Sequence, residues 1–557
     1  MTIERKSLRW NGWGPINQKN MLPDNAPQWV WMREALGMSH LPDTKAKPLE
    51  AITLAPCRLS NNIIAALSAI VGGAQVKTDN YERAFHARGK SYHDLLYLRA
   101  GKLDLAPDAV VYPRDMDEVL GIIKLANEKD ITLIPYGGGS SVVGGVNATA
   151  KSLGGTVITI DTTLMTRLIQ IDKIAMTATV EAGIYGPALE EALQKHGVTL
   201  AHYPQSFQYS TLGGWIAARG AGQQSNRYGK AEKWLVSAKV ATPLGIWTTE
   251  STPASAAGPN LNQILAGSEG TLGVICEATI KIHEIPACKD YRGYLFKNFS
   301  NGVEAARRIN HADIPVAMVR LSDARETYFF QAFSSKTSTT SLKARLQRAY
   351  LRFRGFNNEP CLMLIGHEGE RDTVTWAQSR TEHICTSLGA MKLGTSVGDH
   401  WYHGRFSSPY SRDPMMDHGV GIDTLETSTR WSNIENLRKK TVAAIEDAIT
   451  ANLPKPGGRG IVMAHLSHSY PDGASLYFTY VFPRQLDREV EQWQAIKRAA
   501  SDVLLENMGT ISHHHGVGLD HTPWLAEEKG AIGYKLLKSI KIEMDPNGVM
   551  NPGKLLG

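Results

Sequence analysis

Three glycine-rich segments, spread over about 140 residues, constrain the fold of this chain most strongly. They cover residues 135–145, 210–222 and 267–275. The first contains PYGGGSSVVGG, in which consecutive glycines after a predicted strand let the backbone turn tightly and point successive N–H groups at a phosphate. It has neither the GxGxxG spacing of classical dinucleotide-binding folds nor the GxxxxGKS/T spacing of P-loops. The sequence therefore predicts a phosphate-binding loop of another type.

The pattern around these segments predicts an α+β fold. Two buried strands, at 108–113 and 131–134, flank a helix at 118–127 with Asp117 as its N-cap, an order typical of a parallel sheet. From about residue 286, predicted strands alternate with long helices, which indicates an antiparallel sheet flanked by helices. A chain of 557 residues also exceeds what one core supports. We therefore predict an N-terminal helical region (1–103), a cofactor domain (104–285), a substrate or cap domain (286–500) and a C-terminal helical segment returning to the cofactor domain (501–557).

Composition excludes several classes of protein. The formal net charge is +6 without a long run of Lys or Arg, which does not indicate a nucleic-acid binder. The five cysteines have no CxxC spacing, so we expect neither a disulfide framework nor a thiolate metal site. No stretch approaches the roughly 20 apolar residues of a membrane span, and the start MTIERKSLRWNGWG has no apolar secretory segment. We expect a cytoplasmic protein whose membrane contact, where it occurs, is peripheral at the inner face of the membrane.

The order of the three glycine-rich segments resembles the FAD-binding domain of the vanillyl-alcohol-oxidase type. The PxGGGSS loop is followed after about 75 residues by STLGG and after about 55 more by GSEGTLG. The resemblance implies two FAD-binding subdomains, with the first loop holding the pyrophosphate and the later two contacting the flavin, ribose and adenine side. Some members hold FAD covalently through a His or Cys in the first loop, which has neither here, so we expect non-covalent FAD. The expected FAD-binding residues are Pro135, Tyr136, Gly137, Gly138, Gly139, Ser140, Ser141, Gln205, Ser210, Thr211, Gly213, Gly214, Ala218, Arg219, Gly220, Ala221, Gly267, Ser268, Glu269, Gly270, Thr271, Leu272 and Gly273.

Further motifs resemble the alkyldihydroxyacetonephosphate (alkylglycerone-phosphate) synthase family. They are RWNGWG near the start, GSEGTLGVICEATIKI, RLSD at 320–323, GASLYFTY and SHHHG. The resemblance implies a transferase of ether lipid synthesis, which exchanges the acyl group of acyl-dihydroxyacetone phosphate for a fatty alcohol. It further implies that flavin N5 forms a covalent adduct with the substrate carbon while the carboxylate leaves, so that the net reaction is redox-neutral.

Site residues follow from the same resemblance, position by position. Tyr477 matches the tyrosine that accepts and donates the proton at the substrate carbon. The triplet His513, His514 and His515 matches histidines required for activity. Arg412 matches a substrate-binding arginine, and Arg320 matches a second essential arginine, expected to act in catalysis and in substrate binding.

The residue types fit this chemistry. Arginine offers a bidentate fork to a phosphate, and a tyrosine near arginines and a flavin is expected to have its pKa lowered by positive potential. Phe478 and Tyr480, beside the candidate tyrosine, are predicted to be core residues. Because alternate side chains of a strand point to opposite faces, at most two histidines should line the site: His513 with His515, or His514 alone.

Several features depart from this family and keep alternatives open. The ending DPNGVMNPGKL resembles flavin-dependent 2-hydroxyacid dehydrogenases, and Ser140 stands where Thr is usual. The segment HLSHSYPDG is similar to the HxGDGNxH metal motif of those dehydrogenases, so His465, His468 and His514 form an alternative nitrogen-rich metal set. We nevertheless expect no metal, with His465 and His468 forming hydrogen bonds within the site or orienting its reacting groups. Two other functions stay open. The protein is either an FAD-dependent enzyme that oxidises a 2-hydroxyacid or another alcohol, or a flavin-binding protein without catalytic activity.

The expected partners follow from these alternatives. They are a phosphorylated acyl ketone and a long-chain alcohol, or a 2-hydroxyacid in the oxidoreductase alternative. The tryptophans near the N-terminus and the positive net charge permit peripheral membrane contact. We also expect a homodimer.

Overall fold

The predicted strand–helix–strand unit belongs to the first of the sheets. The computed structural model describes residues 4–18, 22–150, 154–334, 342–357, 359–454 and 458–557. The strands of the first sheet are β1 (Val76–Lys77), β2 (Ala109–Val111), β3 (Thr132–Tyr136) and β4 (Val157–Asp161). Their order is β1-β2-β4-β3, with β2, β4 and β3 parallel and β1 antiparallel to β2.

A second sheet, of five strands, is antiparallel. Its strands are β5 (Leu168–Asp172), β6 (Thr177–Glu181), β8 (Leu235–Thr242), β9 (Gly245–Thr248) and β10 (Val274–Lys281). They lie in the order β5-β6-β10-β8-β9. A separate pair is formed by β7 (Val198–Thr199) and β11 (His283–Glu284).

The largest sheet is wholly antiparallel, as the sequence predicts for the second half of the chain. Its strands are β12 (Cys288–Phe296), β13 (Val316–Ser322), β14 (Cys361–Gly369), β15 (Met391–Gly394), β16 (Val420–Arg430), β17 (Ile461–Ser469) and β18 (Gly473–Pro483). Their order is β15-β12-β14-β13-β17-β18-β16. The α+β class and the antiparallel sheet are therefore confirmed.

Helices flank all three larger sheets. In the described residues they are α1 (Gln28–Ala35), α2 (Asn61–Val71), α3 (Asn80–Phe85), α4 (Tyr92–Ala100), α5 (Met116–Lys129), α6 (Gly186–Gln194), α7 (Leu212–Ala217), α8 (Ser225–Tyr228), α9 (Ala231–Trp234), α10 (Asn262–Leu265), α11 (Phe299–His311), α12 (Ala324–Ser334), α13 (Leu342–Phe353), α14 (Arg371–Ser387), α15 (Thr395–Gly404), α16 (Arg412–Asp417), α17 (Ile434–Ala451), α18 (Glu489–Glu506) and α19 (Thr522–Met544). None of the described helices is both long and apolar enough to span a membrane.

The N-cap predicted for α5 is wrong. Asp115 has an extended backbone, and its side chain accepts a hydrogen bond from Glu118 N, so the helix begins at Met116. Asp117 lies inside the first turn, where a carboxylate still interacts favourably with the helix dipole but does not cap. Both positions carry Asp, and only the backbone conformation distinguishes them.

Both terminal regions join the central sheets. The N-terminal region contributes β1 to the first sheet, and Tyr92 of α4 packs against Phe482 of β18 with ring centroids 5.7 Å apart. Near the C-terminus, Leu133 N donates to Val549 O (2.8 Å) and Asn551 N donates to Leu133 O (2.8 Å). The predicted domain limits at 103, 285 and 500 stay predictions, but the terminal segments contribute hydrogen bonds and packing to the central cores.

Candidate active site

One face of the large sheet forms the floor of a cavity of about 1250 Å³. Neighbouring strands place alternate residues on this face, as the pleat of a sheet requires. The floor residues are Arg320 of β13, Met463, His465 and Ser467 of β17, Tyr477 and Thr479 of β18, and Ile422 and Thr424 of β16. Phe478 and Tyr480 point the other way and are fully buried, which confirms their prediction as core.

Tyr477 stands at the centre of this floor. The sheet register pairs it with His465 on one side and with Glu426 on the other. Its ring stacks on His465 with centroids 5.0 Å apart, and His515 approaches edge-on at 5.6 Å. Burial raises the pKa of Tyr477 above its usual value, although a hydrogen bond with Thr424 acts in the opposite direction. The expectation of a lowered pKa is therefore wrong for the chain itself, because desolvation outweighs the positive charges around the phenol.

A buried carboxylate, Glu426, organises the histidine triplet. It accepts hydrogen bonds from Ser512 Oγ (2.8 Å) and from the backbone N–H groups of His513 (2.6 Å), His514 (3.1 Å) and His515 (2.9 Å). These donors converge on one anion, so the segment is a turn wrapped around a carboxylate and not a strand. The alternation argument therefore fails: His514 and His515 both line the cavity, whereas His513 is not among its lining residues.

The charges in this turn follow from burial and from its hydrogen bonds. Burial alone would raise the pKa of Glu426, but the adjacent histidine rings and backbone N–H groups hold it well below its usual value. Burial lowers the pKa values of His513 and His514 well below their usual value, and lowers that of His515 as well. The turn therefore presents neutral imidazoles to the cavity above an ionised carboxylate.

Arg320 lies in a second charged group at the edge of the floor. Its Nη2 donates to Glu326 Oε1 (3.0 Å) and lies 3.1 Å from His465 Nδ1. His465 Nδ1 is also 2.8 Å from Glu326 Oε1. Burial would raise the pKa of Glu326, but His465 and Arg320 lower it to about 2. His465 is thus held by the Arg320–Glu326 ion pair, and the role predicted for it in orienting the reacting groups stays a prediction.

Arg412 reaches the cavity from the start of α16. Its Nη1 donates to Lys90 O (2.9 Å), and both residues line the cavity. The next residue, Asp413, accepts hydrogen bonds from Trp13 N (2.9 Å) and Arg9 Nη1 (3.1 Å). The N-terminal RWNGWG motif therefore anchors the turn that carries Arg412.

Most of the predicted FAD-binding residues line the same cavity. Those on its wall are Pro135, Tyr136, Gly137, Gly138, Gly139, Ser140, Ser141, Gln205, Ser210, Thr211, Gly213, Gly214, Ala218, Gly220, Ala221, Glu269, Gly270 and Gly273. The lining does not include Arg219, Gly267, Ser268, Thr271 and Leu272. Arg219 turns away to donate to Gln263 Oε1 (2.7 Å), and Thr271 Oγ1 donates to Ser268 O (2.7 Å) within its own turn.

The glycine-rich wall fits a large phosphorylated cofactor. A Cβ atom at Gly138 would lie 1.8 Å from Tyr209 O, and one at Gly137 would lie 2.1 Å from Thr211 Oγ1. The Thr211 hydroxyl is itself buried without a hydrogen-bond partner in the described residues. The volume exceeds the roughly 300–1,000 Å³ of a typical small-ligand pocket, which leaves room for a dinucleotide and a second molecule. Glu269 ties this wall to the histidine segment by accepting from Val517 N (2.5 Å) and Gly518 N (2.7 Å).

We expect Gly138→Ala to yield folded protein that binds FAD at least about tenfold more weakly. The added methyl group would collide with the Tyr209 carbonyl and Ser210 Cα, both backbone atoms, and overpacking of this kind costs about 1–3 kcal/mol. Flavin absorbance per mole of purified protein and FAD titration of the apoprotein measure the effect. Gly73→Ala is the control, since a Cβ there meets nothing within 4 Å. Equal flavin content in both variants would contradict the view that close packing of Gly138 against Tyr209 and Ser210 shapes the cofactor site.

Sequence reasoning missed Glu426 and Lys90. A signal for Glu426 was present in the sequence. In the strand VGIDTLETSTR it lies on the same face as Ile422 and Thr424, and a carboxylate on a buried face needs polar partners. The sequence around Lys90 contains no signal of this kind that we recognise. Its Nζ donates to Trp10 O (2.8 Å), and burial lowers its pKa to about 8.

Comparison with known proteins agrees with this geometry. The family model described as "FAD binding domain" matches residues 107–250, and "FAD linked oxidases, C-terminal domain" matches residues 285–555. Alkyldihydroxyacetonephosphate synthase of Dictyostelium discoideum is 33% identical over 579 residues, which cover 99% of this chain and 94% of that protein.

Solved structures extend the likeness to the whole fold. A structure of alkyldihydroxyacetonephosphate synthase superposes with a TM-score of 0.84 at 30% identity, covering 99% of this chain and 100% of that one. A structure of p-cresol methylhydroxylase, at 16% identity and a TM-score of 0.66 over 90% of this chain and 98% of that one, shares the fold alone. The chain belongs to the alkyldihydroxyacetonephosphate synthase family of FAD-binding proteins.

Proposed function

We propose that this protein is a flavin-dependent alkyldihydroxyacetonephosphate synthase, which exchanges the acyl group of acyl-dihydroxyacetone phosphate for a fatty alcohol. The observation that carries the proposal is the position of Tyr477. It stands between neutral histidines on the floor of a cavity whose wall holds the FAD-type loops and whose edges hold Arg320 and Arg412. A phosphorylated ketone needs both parts of this arrangement, a proton-transfer group and guanidinium groups for its phosphate.

The two arginines are proposed to bind the substrate phosphate. Both line the cavity, and both are oriented by protein partners, Arg320 by Glu326 and Arg412 by Lys90 O. A guanidinium group held in place loses little freedom when it binds a phosphate, so the pair can position the ketone over Tyr477.

Proton transfer is proposed to start at Tyr477. Because burial raises its pKa, the phenol of the free protein is protonated, and it needs an acceptor before it can take a proton from carbon. His514 and His515 have ring centroids 6.1 Å and 5.6 Å from the Tyr477 ring, and their lowered pKa values leave them neutral, so a ring nitrogen can accept a hydrogen bond that orients the phenol. When bound, FAD supplies an N5 nucleophile at the substrate carbon, so that the net exchange requires no electron acceptor.

FAD is proposed to bind without a covalent bond to the protein. The loop 135–145 contains no His or Cys, and its glycines leave backbone N–H groups as the phosphate ligands. The residues that would hold the cofactor are the eighteen predicted ones on the cavity wall.

A long-chain alcohol needs an apolar route, which an apolar part of the cavity lining supplies. This part contains Phe329 and Phe330 of α12, Leu351 of α13, and Leu362 and Leu364 of β14. Tyr328, Phe330, Tyr350 and Phe353 on the same two helices are exposed, which supports peripheral contact with a membrane. We further propose a cytoplasmic location, at the inner face of the membrane, and a homodimer.

The decisive experiment adds palmitoyl-dihydroxyacetone phosphate to the flavin-loaded protein without oxygen. We expect flavin bleaching with release of palmitate, and an alkyl product by mass spectrometry once hexadecanol is added. The same protein is then exposed to a panel of 2-hydroxyacids as the comparison. Full flavin reduction by a hydroxyacid, with no response to the ester, would contradict the transferase and favour the oxidoreductase.

A further inference from the structure

Three histidines bring their ring nitrogens together beside the catalytic floor. His468 of β17 and the turn residues His513 and His514 each offer one nitrogen, and these atoms all lie within 4.8 Å of one another. The His468 ring centroid is 5.2 Å from that of His513 and 5.5 Å from that of His514. Two ligands bound to one tetrahedral zinc ion at about 2.0–2.1 Å lie roughly 3.4 Å apart, so small ring rotations bring the three nitrogens into that arrangement.

His468 carries a ring nitrogen that has no hydrogen-bond partner in the described residues. The Nδ1 atom of His468 is buried without a hydrogen bond in the described residues, on a side chain that is only 6% exposed. A buried polar atom left unsatisfied costs about 1–3 kcal/mol, so this cost is uncompensated unless something binds the nitrogen. His513 Nδ1 and His514 Nδ1 lie 2.9 Å apart, a hydrogen bond that a shared cation would replace.

The charge state of the cluster favours a cation. Neutral imidazole is the form of histidine that binds a metal ion. Glu426 Oε2 lies 3.5 Å from His514 Nδ1 and places a buried negative charge beside the cluster, where it attracts a cation. Lys230 opposes a cation, but its Nζ donates to His513 O and lies 3.6 Å from Glu232 Oε1.

We propose that His468, His513 and His514 form a binding site for one divalent transition-metal ion, best matched by zinc. The site differs from the set His465, His468 and His514 weighed from the sequence, because His465 Nδ1 already contacts Glu326 Oε1. It also revises the expectation that no metal binds. Since His468 and His514 line the cavity, an open coordination position would face it and could accept the oxygen of an alcohol or a carboxylate.

The test uses the flavin-loaded protein after dialysis against a chelator, titrated with zinc by calorimetry in metal-free buffer. We expect one zinc ion per chain in the wild type and at least about tenfold weaker binding in His468→Gln. His465→Gln is the matched control, since it removes a neighbouring floor histidine on the same strand, and we expect its zinc affinity to stay within about twofold of wild type. Flavin content and melting temperature establish that both variants are folded.

The outcomes separate the alternatives. Zinc binding that is lost in His465→Gln and kept in His468→Gln would overturn the assignment, as would equal binding in all three proteins, which would indicate adventitious sites. If His468→Gln does not fold, the zinc X-ray absorption spectrum of the wild type decides: at least three imidazole nitrogens at about 2.0–2.1 Å support the site, and a shell dominated by oxygen rejects it. Because the readout is zinc binding, the result does not depend on whether the proposed transferase reaction is found.

Discussion

Tyr477→Phe should retain FAD and lose about 10²- to 10⁴-fold in turnover, the usual contribution of a positioned proton-transfer group. The substitution removes only the hydroxyl group, which faces the cavity between His465 and the histidine turn, and leaves the ring that packs on the sheet. Because the ring is retained, stability should change by no more than about 1 kcal/mol. Steady-state turnover with acyl-dihydroxyacetone phosphate and hexadecanol measures the loss of activity, and the flavin content of the purified variant measures the retention of FAD.

The same strand provides the matched control for this prediction. Tyr480→Phe also removes one hydroxyl from β18, but on the opposite face, where Tyr480 Oη donates to Asp423 Oδ2 (3.1 Å). That variant should lose about 1 kcal/mol of stability and keep wild-type turnover. If Tyr477→Phe keeps wild-type turnover as well, Tyr477 has only a packing role and the proposed proton transfer is wrong.

Glu426→Gln should release the histidine turn and reduce both stability and activity. The carboxylate accepts from one hydroxyl and three backbone N–H groups, and hydrogen bonds to a charged group contribute about 1.5–3 kcal/mol each. Glutamine keeps one acceptor oxygen but places an N–H₂ group against N–H donors, so we expect a loss of at least about 2 kcal/mol. Turnover should fall at least about tenfold, since His514 and His515 would no longer be held over the floor.

Hydrogen exchange gives a direct readout of that release. The amides of residues 513–515 should exchange faster in Glu426→Gln but not in Asp423→Asn, which removes a buried carboxylate from the opposite face of the same strand. Unchanged protection of these amides in Glu426→Gln would contradict the proposed organisation of the turn.

The same carboxylate makes a pH prediction. Because the folded pKa of Glu426 lies below the unfolded value of about 4.3, its ionised form stabilises the protein fully above that value. The contribution is lost as the pH falls through the folded pKa, so the unfolding free energies of wild type and Glu426→Gln should converge in acid.

Local patterns were sufficient for much of the fold. The first glycine-rich loop follows β3, a helix spans all of 118–127, and strands alternate with long helices in the second half of the chain, as predicted. These features depend on neighbouring residues, because glycine supplies the turn and hydrophobic periodicity supplies the buried face. Even here Asp115 and Asp117 could not be distinguished as caps, since capping depends on one backbone conformation.

Only part of the candidate site could be predicted from the sequence. Tyr477, Arg320 and Arg412 could be named from motifs, and eighteen of the predicted FAD residues line one cavity. The arrangement of the histidines could not be predicted from motifs, because it depends on Glu426, which lies 86 to 89 residues before the groups that it binds. The raised pKa of Tyr477 could not be predicted from the sequence either, because the burial of the phenol is a property of the assembled sheet.

The sequence by itself therefore determined the cofactor loops, the α+β class and the residue types of the site, because each of these depends on short segments of neighbouring residues. Only the tertiary structure decided which histidines face the cavity, which carboxylate holds them, and which nitrogen remains unpaired. The physical reason is that hydrogen bonding and desolvation act between atoms close in space, and β16, β17 and the 512–515 turn are distant in sequence but lie together in the folded protein.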